Sequence, residues 1–512
     1  MIKKLSKNLQ LQKQLNYTLK FIERYWWLWV VLAVVVTYCL IMLLARGQSI
    51  WFDEGYSIMI AQKPVDQLLA LSAVDAHPPF YYLLLKAWAG LFGWSEFALR
   101  SLSAVAAAVT VGAASLLIRR LFTTKVALMV LPFLVLSPFF LRYGYEVRMY
   151  ALAGLIGVVA TWVLVRAVDK PKQLGWWVGY AALVALGMYT LYMSVAIWLA
   201  HFVWLIAGTL KQKQPLLKQR WLVAYVGAVA LFSPQLPTFI NQTLHSVLPG
   251  IGSEVTIEKL SGILGLTISF TPSWEIDGLL SIGLLAVVGL SIYLAAFVWK
   301  ESTLAQRHNL LLMGCLVFVP IGFYTLISLL PNPFFIDRYM AHIVIFIYAL
   351  LGIIVALGWR YGKRIAAGLL GGLAIILLSF GVLQLQNTGN VNFERMQKPM
   401  TIELRQSIAC NTDTVIVADD PYSHIDSFYY FKGCDLRFYS KKSVANRGGY
   451  APLHDSSVRL ASSNDLTAIS LIHLRWDGMP MLFQPDGRYN LIESSTYGKQ
   501  VVDRYERATS AE

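Results

Sequence analysis

The stretch SIWFDEGYSIMIAQ (49–62), continued by LLALSAVDAHPPFYYLLLKAWAGLFGWSEFALR (68–100), decides how the rest of the chain is read. It lies between two long apolar runs, 26–45 and 97–118, so it is a loop joining two segments long enough to cross a membrane. A solvated loop would be polar. This one is rich in Trp, Tyr, Phe and Leu, which predicts amphipathic helices lying in the water–lipid interface. Asp53 and Glu54 fall at the start of the first of these helices, beside Trp51, Phe52 and Tyr56. Two readings follow. Acids are favourable at a helix N-terminus and need no other role. An apolar surround also raises a carboxylate's pKa and suits it to act as a base. In DAHPPFYY (75–82), Pro78-Pro79 predicts an extended turn ahead of a new helix, with Asp75 and His77 just before it on the side of Asp53. This pair either orients a bound molecule or holds a divalent ion. The metal signal is weak, because two ligand types two residues apart are common by chance. Lys86 follows on the new helix, where it either meets a phosphate or snorkels to the interface.

Working outward, the chain has 512 residues, 57% hydrophobic and 14% charged, with mean hydropathy +0.55. About a quarter of the residues are charged in ordinary soluble proteins. The gap excludes a disordered chain and argues against a soluble enzyme. Spanning a hydrocarbon core takes about 20 apolar residues. Eleven such stretches are expected: 26–45, 97–118, 126–141, 149–167, 175–192, 193–210, 221–239, 278–299, 309–330, 339–358 and 365–385. The fold class expected is mostly α, a polytopic transmembrane helical protein with a small α/β C-terminal domain outside the cytoplasm. The expected division is a cytoplasmic segment 1–25, a transmembrane domain 26–385 with its first outer loop 46–96, and a C-terminal domain 386–512. In that tail, TVIVA (414–418), LRFYS (436–440), AISLIHL (468–474) and YNLIESS (489–495) read as strands, with helices near 399–410 and 424–432. The first span follows a charged segment and has no small-residue cleavage site, so it reads as a retained helix.

Charge sets the orientation. With the N-terminus inside, the inner segments hold 21 Lys and Arg against 3 acids, and the outer loops before residue 386 hold 7 against 11. Positive residues stay inside, so the expectation is a multi-pass protein of the plasma (inner) membrane with its C-terminus outside. The net charge of +14 is then a topology signal plus attraction to anionic lipid, not a nucleic-acid surface. Cys39 and Cys315 sit in apolar runs. Cys410 and Cys434, in the polar tail, either form a disulfide or remain two thiols.

Charges collect at outer span ends and in outer loops, whereas the span centres carry almost none. This favours a reaction centre at the outer surface over an ion-coupled path through the bundle. RYGYEVRMY (142–150) places Arg142, Glu146 and Arg148 among tyrosines, as a structural ion pair or as part of a site. PNPFFIDRYM (331–340) puts Asp337 and Arg338 at the membrane edge, where an Arg fork suits a lipid phosphate.

Together these segments resemble the GT-C glycosyltransferases of the protein O-mannosyltransferase and lipid A aminoarabinose transferase kind (glycosyltransferase family 39 and its bacterial relatives). The residues that carry the resemblance are Asp53-Glu54 after the first span, DAHPPFYY, FALRSLSAV with Arg100, the YEVRMY turn and the DRY before a later span; it covers about 26–360. The resemblance implies a polyprenyl-phosphate-sugar donor, an extracytoplasmic acceptor (protein, lipid or cell-envelope glycan) and a lipid bilayer as partners. It implies Asp53 as catalytic base with Glu54 its neighbour, Asp75 and His77 near the acceptor or a metal, and Arg338 and Tyr339 at the lipid phosphate. Tyr56, Tyr82, Lys86, Arg100, Glu146 and Arg148 complete the expected substrate-binding set. Some relatives bind a metal through several loops. Here no such set extends beyond Asp75, His77 and, loosely, His245, so a divalent metal is left open as a cofactor. The function expected is an inverting glycosyltransferase. The alternative is a transporter or flippase of polyprenyl-linked glycans, and a third is an assembly protein whose tail binds partners.

Overall fold

A computed structural model describes residues 21–46, 48–244, 256–329, 336–388, 401–440, 453, 458–478, 480–498 and 500–508. The apolar runs form helices because the bilayer offers no partner for a bare backbone amide, which must then bond within its own segment. In chain order the first helices are α1 (Trp26–Ala45), α2 (Phe52–Gln62), α3 (Val65–Val74), α4 (Phe80–Phe92) and α5 (Glu96–Leu121). They are followed by α6 (Thr124–Val135), α7 (Pro138–Gly144), α8 (Tyr150–Asp169), α9 (Leu174–Thr190), α10 (Val195–Lys211), α11 (Arg220–Phe232) and α12 (Leu236–Leu244). After the break come α13 (Ile257–Ile268), α14 (Gly278–Glu301), α15 (Leu304–Ile327), α16 (Val344–Arg360) and α17 (Arg364–Thr388).

Among the described residues, eight helical stretches are long and apolar enough to cross a membrane, or nine if the bent pair α6–α7 is one span. The two remaining expected spans coincide with α9 and α16, which are apolar but only 17 residues long. The expected 126–141 span is not straight. It bends by 65° between Val135 and Pro138. Proline disfavours a helical residue before it, and Ser137 is accordingly extended. At the centre, α5 packs against α1 and α8 through an alanine- and serine-rich face, whose small side chains let the backbones approach. The span centres are not wholly without ionisable groups. His201 is buried in α10, where it bonds Thr161 at 2.9 Å and Tyr180 at 3.1 Å, and Tyr180 meets Tyr225 at 3.0 Å. Four helices, α8 to α11, are thereby pinned by one buried polar network.

The loop between the first two spans is the expected run of short helices, α2 to α4. Beyond α17, α18 (Ile402–Ser407) leads into a six-stranded sheet of β1 (Thr414–Ala418), β2 (Asp435–Tyr439), β3 (Arg459–Leu460), β4 (Ser470–Trp476), β5 (Tyr489–Tyr497) and β6 (Gln500–Arg507), with α19 (Pro421–Phe428) after β1. The order is β3-β2-β1-β4-β6-β5; β1 pairs in parallel with β2 and β4, whereas β6 runs antiparallel to β4 and β5. All four expected strands are present within two residues. QVVDRYER (500–507) was not expected as a strand, because only its first half is apolar. It pairs fully with both neighbours and buries Gln500 and Asp503 with its valines. The open question on the tail cysteines is resolved by a Cys410–Cys434 disulfide, with Cα atoms 5.0 Å apart.

Candidate active site

Helix α2 begins after an extended Trp51 and carries Asp53 and Glu54 in its first turn, without a side-chain cap. Adjacent helical residues point about 100° apart, so the two carboxylates enter different surroundings. Glu54 is fully buried and gripped by Arg100, whose Nε donates to Oε1 at 2.9 Å and Nη2 to Oε2 at 2.8 Å. The backbone N–H of Val147 donates to Oε1 at 3.2 Å. Arg100 also donates to the carbonyls of Ala45, Gln48 and Ser49. This is a bidentate, desolvated anchor that ties the end of α1, the start of α2, α5 and the 145–149 turn together. Glu54 was expected to share catalytic duty with Asp53, and Arg100 to bind substrate. In this geometry both are fully engaged with the protein.

Asp53 faces the other way. Its Oδ2 accepts from Arg338 Nη1 at 2.7 Å, and its Oδ1 has no hydrogen-bond partner among the described residues. The two side chains keep 11% and 24% of their exposure, so the pair is reachable. Arg338 lies in the single turn Asp337–Met340, next to Tyr339. Arg148 closes the other flank, donating from Nη1 to Ser57 Oγ at 3.3 Å and to the Tyr82 hydroxyl at 3.4 Å. Tyr82 in turn donates to Asp75 Oδ2 at 3.1 Å, and Tyr56 lies beside Asp75. Burial pushes the Asp75 carboxyl above the usual carboxylate range, against the pull of Arg148 and the phenols. Burial and the nearby Arg148 and Arg338 cations hold the His77 imidazole well below its ordinary pKa, so it is neutral.

The fold therefore gathers Asp53, Tyr56, Asp75, His77, Tyr82, Glu146, Arg148, Arg338 and Tyr339 around one region. Lys86 does not join them. Its ammonium donates to the carbonyls of Lys63 at 2.8 Å and Ala61 at 3.2 Å, where the negative C-terminal end of α2 attracts a cation. Tyr150 and Trp51 were quoted within the motifs but not singled out. Tyr150 lies within the field of Arg338, Arg148 and Asp53. The Trp51 ring sits 6.0 Å from both the Arg142 and the Arg338 guanidinium. The signal for Tyr150 was its place at a span start two residues after Arg148.

Glu146 is fully buried, with Oε2 3.5 Å from Arg142 Nη1 and Oε1 without a partner among the described residues. Burial raises its pKa to about 7; Arg142 opposes this and Asp53 and Glu54 add to it. A raised carboxyl pKa means that the unfolded chain gives up this proton near pH 4.5 while the folded protein holds it to about pH 7. Stability from this group thus falls as pH rises through that window. Glu146→Gln, which is neutral at every pH, is expected to flatten the decline of the melting temperature between about pH 4.5 and 7, followed by thermal unfolding in detergent. An unchanged slope would assign the pH dependence elsewhere.

Asp75 and His77 are not joined by a third His, Cys, Asp or Glu in a metal-holding group among the described residues, and His245 lies outside them. With Asp75 bonded by Tyr82 and set near the Arg148 cation, this donor set does not fit a divalent ion.

Two solved structures align over nearly the whole chain. ArnT from Cupriavidus metallidurans in the apo state matches with TM-score 0.62 at 13% identity, covering 93% of this chain and 97% of that one. The same protein bound to undecaprenyl phosphate matches with TM-score 0.60 at 12% identity, again covering 93% and 97%. At such identity the likeness is one of fold. No curated protein matches the sequence significantly. The family model of dolichyl-phosphate-mannose-protein mannosyltransferase matches residues 76–237, a stretch that begins one residue after Asp75 and runs through Arg100, Glu146 and Arg148. The resemblance read from the sequence is thus supported on two counts: the chain shares the fold of ArnT over nearly its whole length, and the mannosyltransferase family model matches residues 76–237.

Proposed function

We propose that the protein is an inverting glycosyltransferase that moves a sugar from a polyprenyl-phosphate donor to a hydroxyl of an extracytoplasmic acceptor, with Asp53 as general base. The observation that carries this reading is the pairing of a carboxylate that keeps one oxygen free with cations that keep unused donors. Among the described residues, Arg338 Nε, Arg148 Nε and the Tyr150 hydroxyl are buried without partners, and all three groups surround Asp53. Unmatched buried donors are costly unless a ligand meets them, and guanidinium forks fit phosphate oxygens. In the reaction, Asp53 takes the acceptor's hydroxyl proton, the alkoxide oxygen bonds the anomeric carbon, and the carbon–oxygen bond to the lipid phosphate breaks with its electron pair. Arg338 and Arg148 offset the charge that grows on the departing phosphate. A phosphate leaves without a strong general acid, so a second free carboxylate is unnecessary. A glycoside hydrolase would need two carboxylates flanking one bond, and Glu54 is held by Arg100. No step requires a metal.

The outer face of the plasma (inner) membrane is the proposed location. The charge asymmetry supports it, and so does the Cys410–Cys434 disulfide, since such bonds persist in oxidising compartments. The flippase reading has less support: His201 is bonded to Thr161 and Tyr180, and the buried carboxylates Asp53, Glu54, Asp75 and Glu146 gather in one region instead of lining a path along the bundle.

Arg338→Ala tests the donor assignment. It is expected to raise the donor KM about tenfold or more, the scale of losing charge-assisted hydrogen bonds to one phosphate. The measurement is transfer from synthetic undecaprenyl-phosphate-linked sugars by the purified protein in nanodiscs. A donor KM equal to wild type would remove Arg338 from the phosphate site.

A further inference from the structure

The helix that carries Asp53 is held on its opposite face by the C-terminal domain. Asp53 and Gly55 are two residues apart on α2, so their Cα–Cβ directions differ by about 200°. On the Gly55 side lies α19. A Cβ built at Gly55 would stand 2.7 Å from the carbonyl oxygen of Ile425 and 2.9 Å from its Cγ2, so only glycine allows this approach. Next to it, the Phe52 and Tyr422 rings meet at 4.8 Å. The turn after α19 reaches further. The Tyr430 hydroxyl accepts from the N–H of Ile50 at 2.6 Å, immediately ahead of the extended Trp51 that starts α2. Ile50 is fully buried, so this donor has no water to fall back on. Tyr429 donates to the carbonyl of Trp94 at 2.8 Å, fixing the far end of the first outer loop.

A line of alternating charges runs over the same joint. Glu54 is bound by Arg100, Arg100 Nη1 is 3.6 Å from Glu96, and Glu96 is 3.6 Å from Arg405 on α18. Arg405 in turn stacks on the Tyr430 ring at 3.9 Å. The Cys410–Cys434 disulfide closes the segment that bears α19 and both tyrosines. Apart from the Tyr429–Trp94 bond, the contacts that the C-terminal domain makes here land on α2, on the residues just before it, or on the anchor of its second carboxylate. None of them touches the Asp53 carboxylate.

We infer that the C-terminal domain positions the Asp53 helix, with Tyr430 as a positioning residue that fixes the entry of α2 and Gly55 as the seat for Ile425. The catalytic half of this inference rests on the proposed role of Asp53; the positioning half does not. Small misplacements of a reacting group cost about a hundredfold in rate. The domain is therefore a working part of the transfer site, not an appended module.

The test uses the full-length protein in nanodiscs and the single-atom change Tyr430→Phe, which keeps the ring over Arg405 and removes the acceptor for Ile50. Amide hydrogen exchange at residues 50–57 is expected to rise at least tenfold, with exchange in α5 and α8 unchanged. Transfer from undecaprenyl-phosphate-linked sugars is expected to lose about tenfold or more in kcat at constant donor KM and near-constant melting temperature. Gly55→Ala, which acts from the other contact, should reproduce the rise in exchange and the loss of kcat, with a lower melting temperature because its Cβ meets the Ile425 carbonyl. Unchanged exchange at 50–57 in both variants would overturn the positioning claim. Raised exchange with wild-type kcat would overturn the link to catalysis. If the wild-type protein turns over no lipid-phosphate sugar, the proposed function has failed, and the exchange result alone then decides the positioning claim.

Discussion

Asp53→Asn is expected to abolish transfer while leaving the protein folded. The amide cannot accept the acceptor's proton, and general-base assistance is typically worth about 10²–10⁴ in rate. The rest of the site should survive. Asn keeps a carbonyl oxygen for Arg338, and Asp53 contributes little else to packing beyond its backbone carbonyl, which accepts from Ser57 Oγ at 2.9 Å and is unaffected by the change. The donor KM and melting temperature should therefore stay near wild type while single-turnover transfer falls at least about a hundredfold. Turnover within a few-fold of wild type would remove Asp53 from the mechanism, and a large loss of melting temperature would show that the Asp53–Arg338 pair is structural.

Arg100→Met should have the largest effect on stability. The wild-type guanidinium is 2% exposed and serves both oxygens of a fully buried carboxylate and three carbonyls. Its removal leaves the buried Glu54 carboxylate with the Val147 N–H as its one remaining hydrogen-bond donor among the described residues. Breaking a buried pair from one side costs about 3–5 kcal/mol. The penalty lies mainly in the stranded charge, so Glu54→Gln in the same background should recover a large part of it. A double-mutant cycle by thermal unfolding measures both effects. If Arg100→Met melts like wild type, the anchor is not what holds α2; if the double variant is no better than the single, the carbonyl contacts dominate.

These two expectations separate neighbours that the sequence presents as a unit. Asp53-Glu54 reads as a pair of acids among aromatics, and both were assigned to catalysis. Nothing local distinguishes them, since both stand in one helical turn. Their partners do: Arg338 is 285 positions from Asp53, and Arg100 is 46 from Glu54. Lys86 shows the same limit. Its place after DAHPPFYY suits a phosphate ligand equally well, yet α4 lies so that the ammonium reaches the carbonyls ending α2. Glu146 and Arg148 were found because an acid and two arginines among tyrosines exceed what a turn needs. The bend at Pro138 that precedes them was hidden, because a hydropathy window does not see a change of direction.

The sequence by itself determined the membrane class, the approximate spans, the interfacial character of the first loop, most strands of the tail and the segments from which the site is built. These depend on what each residue prefers as a solvent and on periodicity along a single helix or strand, both of which are local. Only the tertiary structure decided which carboxylate is locked and which is open, that the tail cysteines are joined, and that α19 backs the helix bearing Asp53. Those outcomes turn on contacts at close range between residues tens to hundreds of positions apart. Such contacts are fixed by how apolar faces pack, and no stretch of the chain carries that information alone.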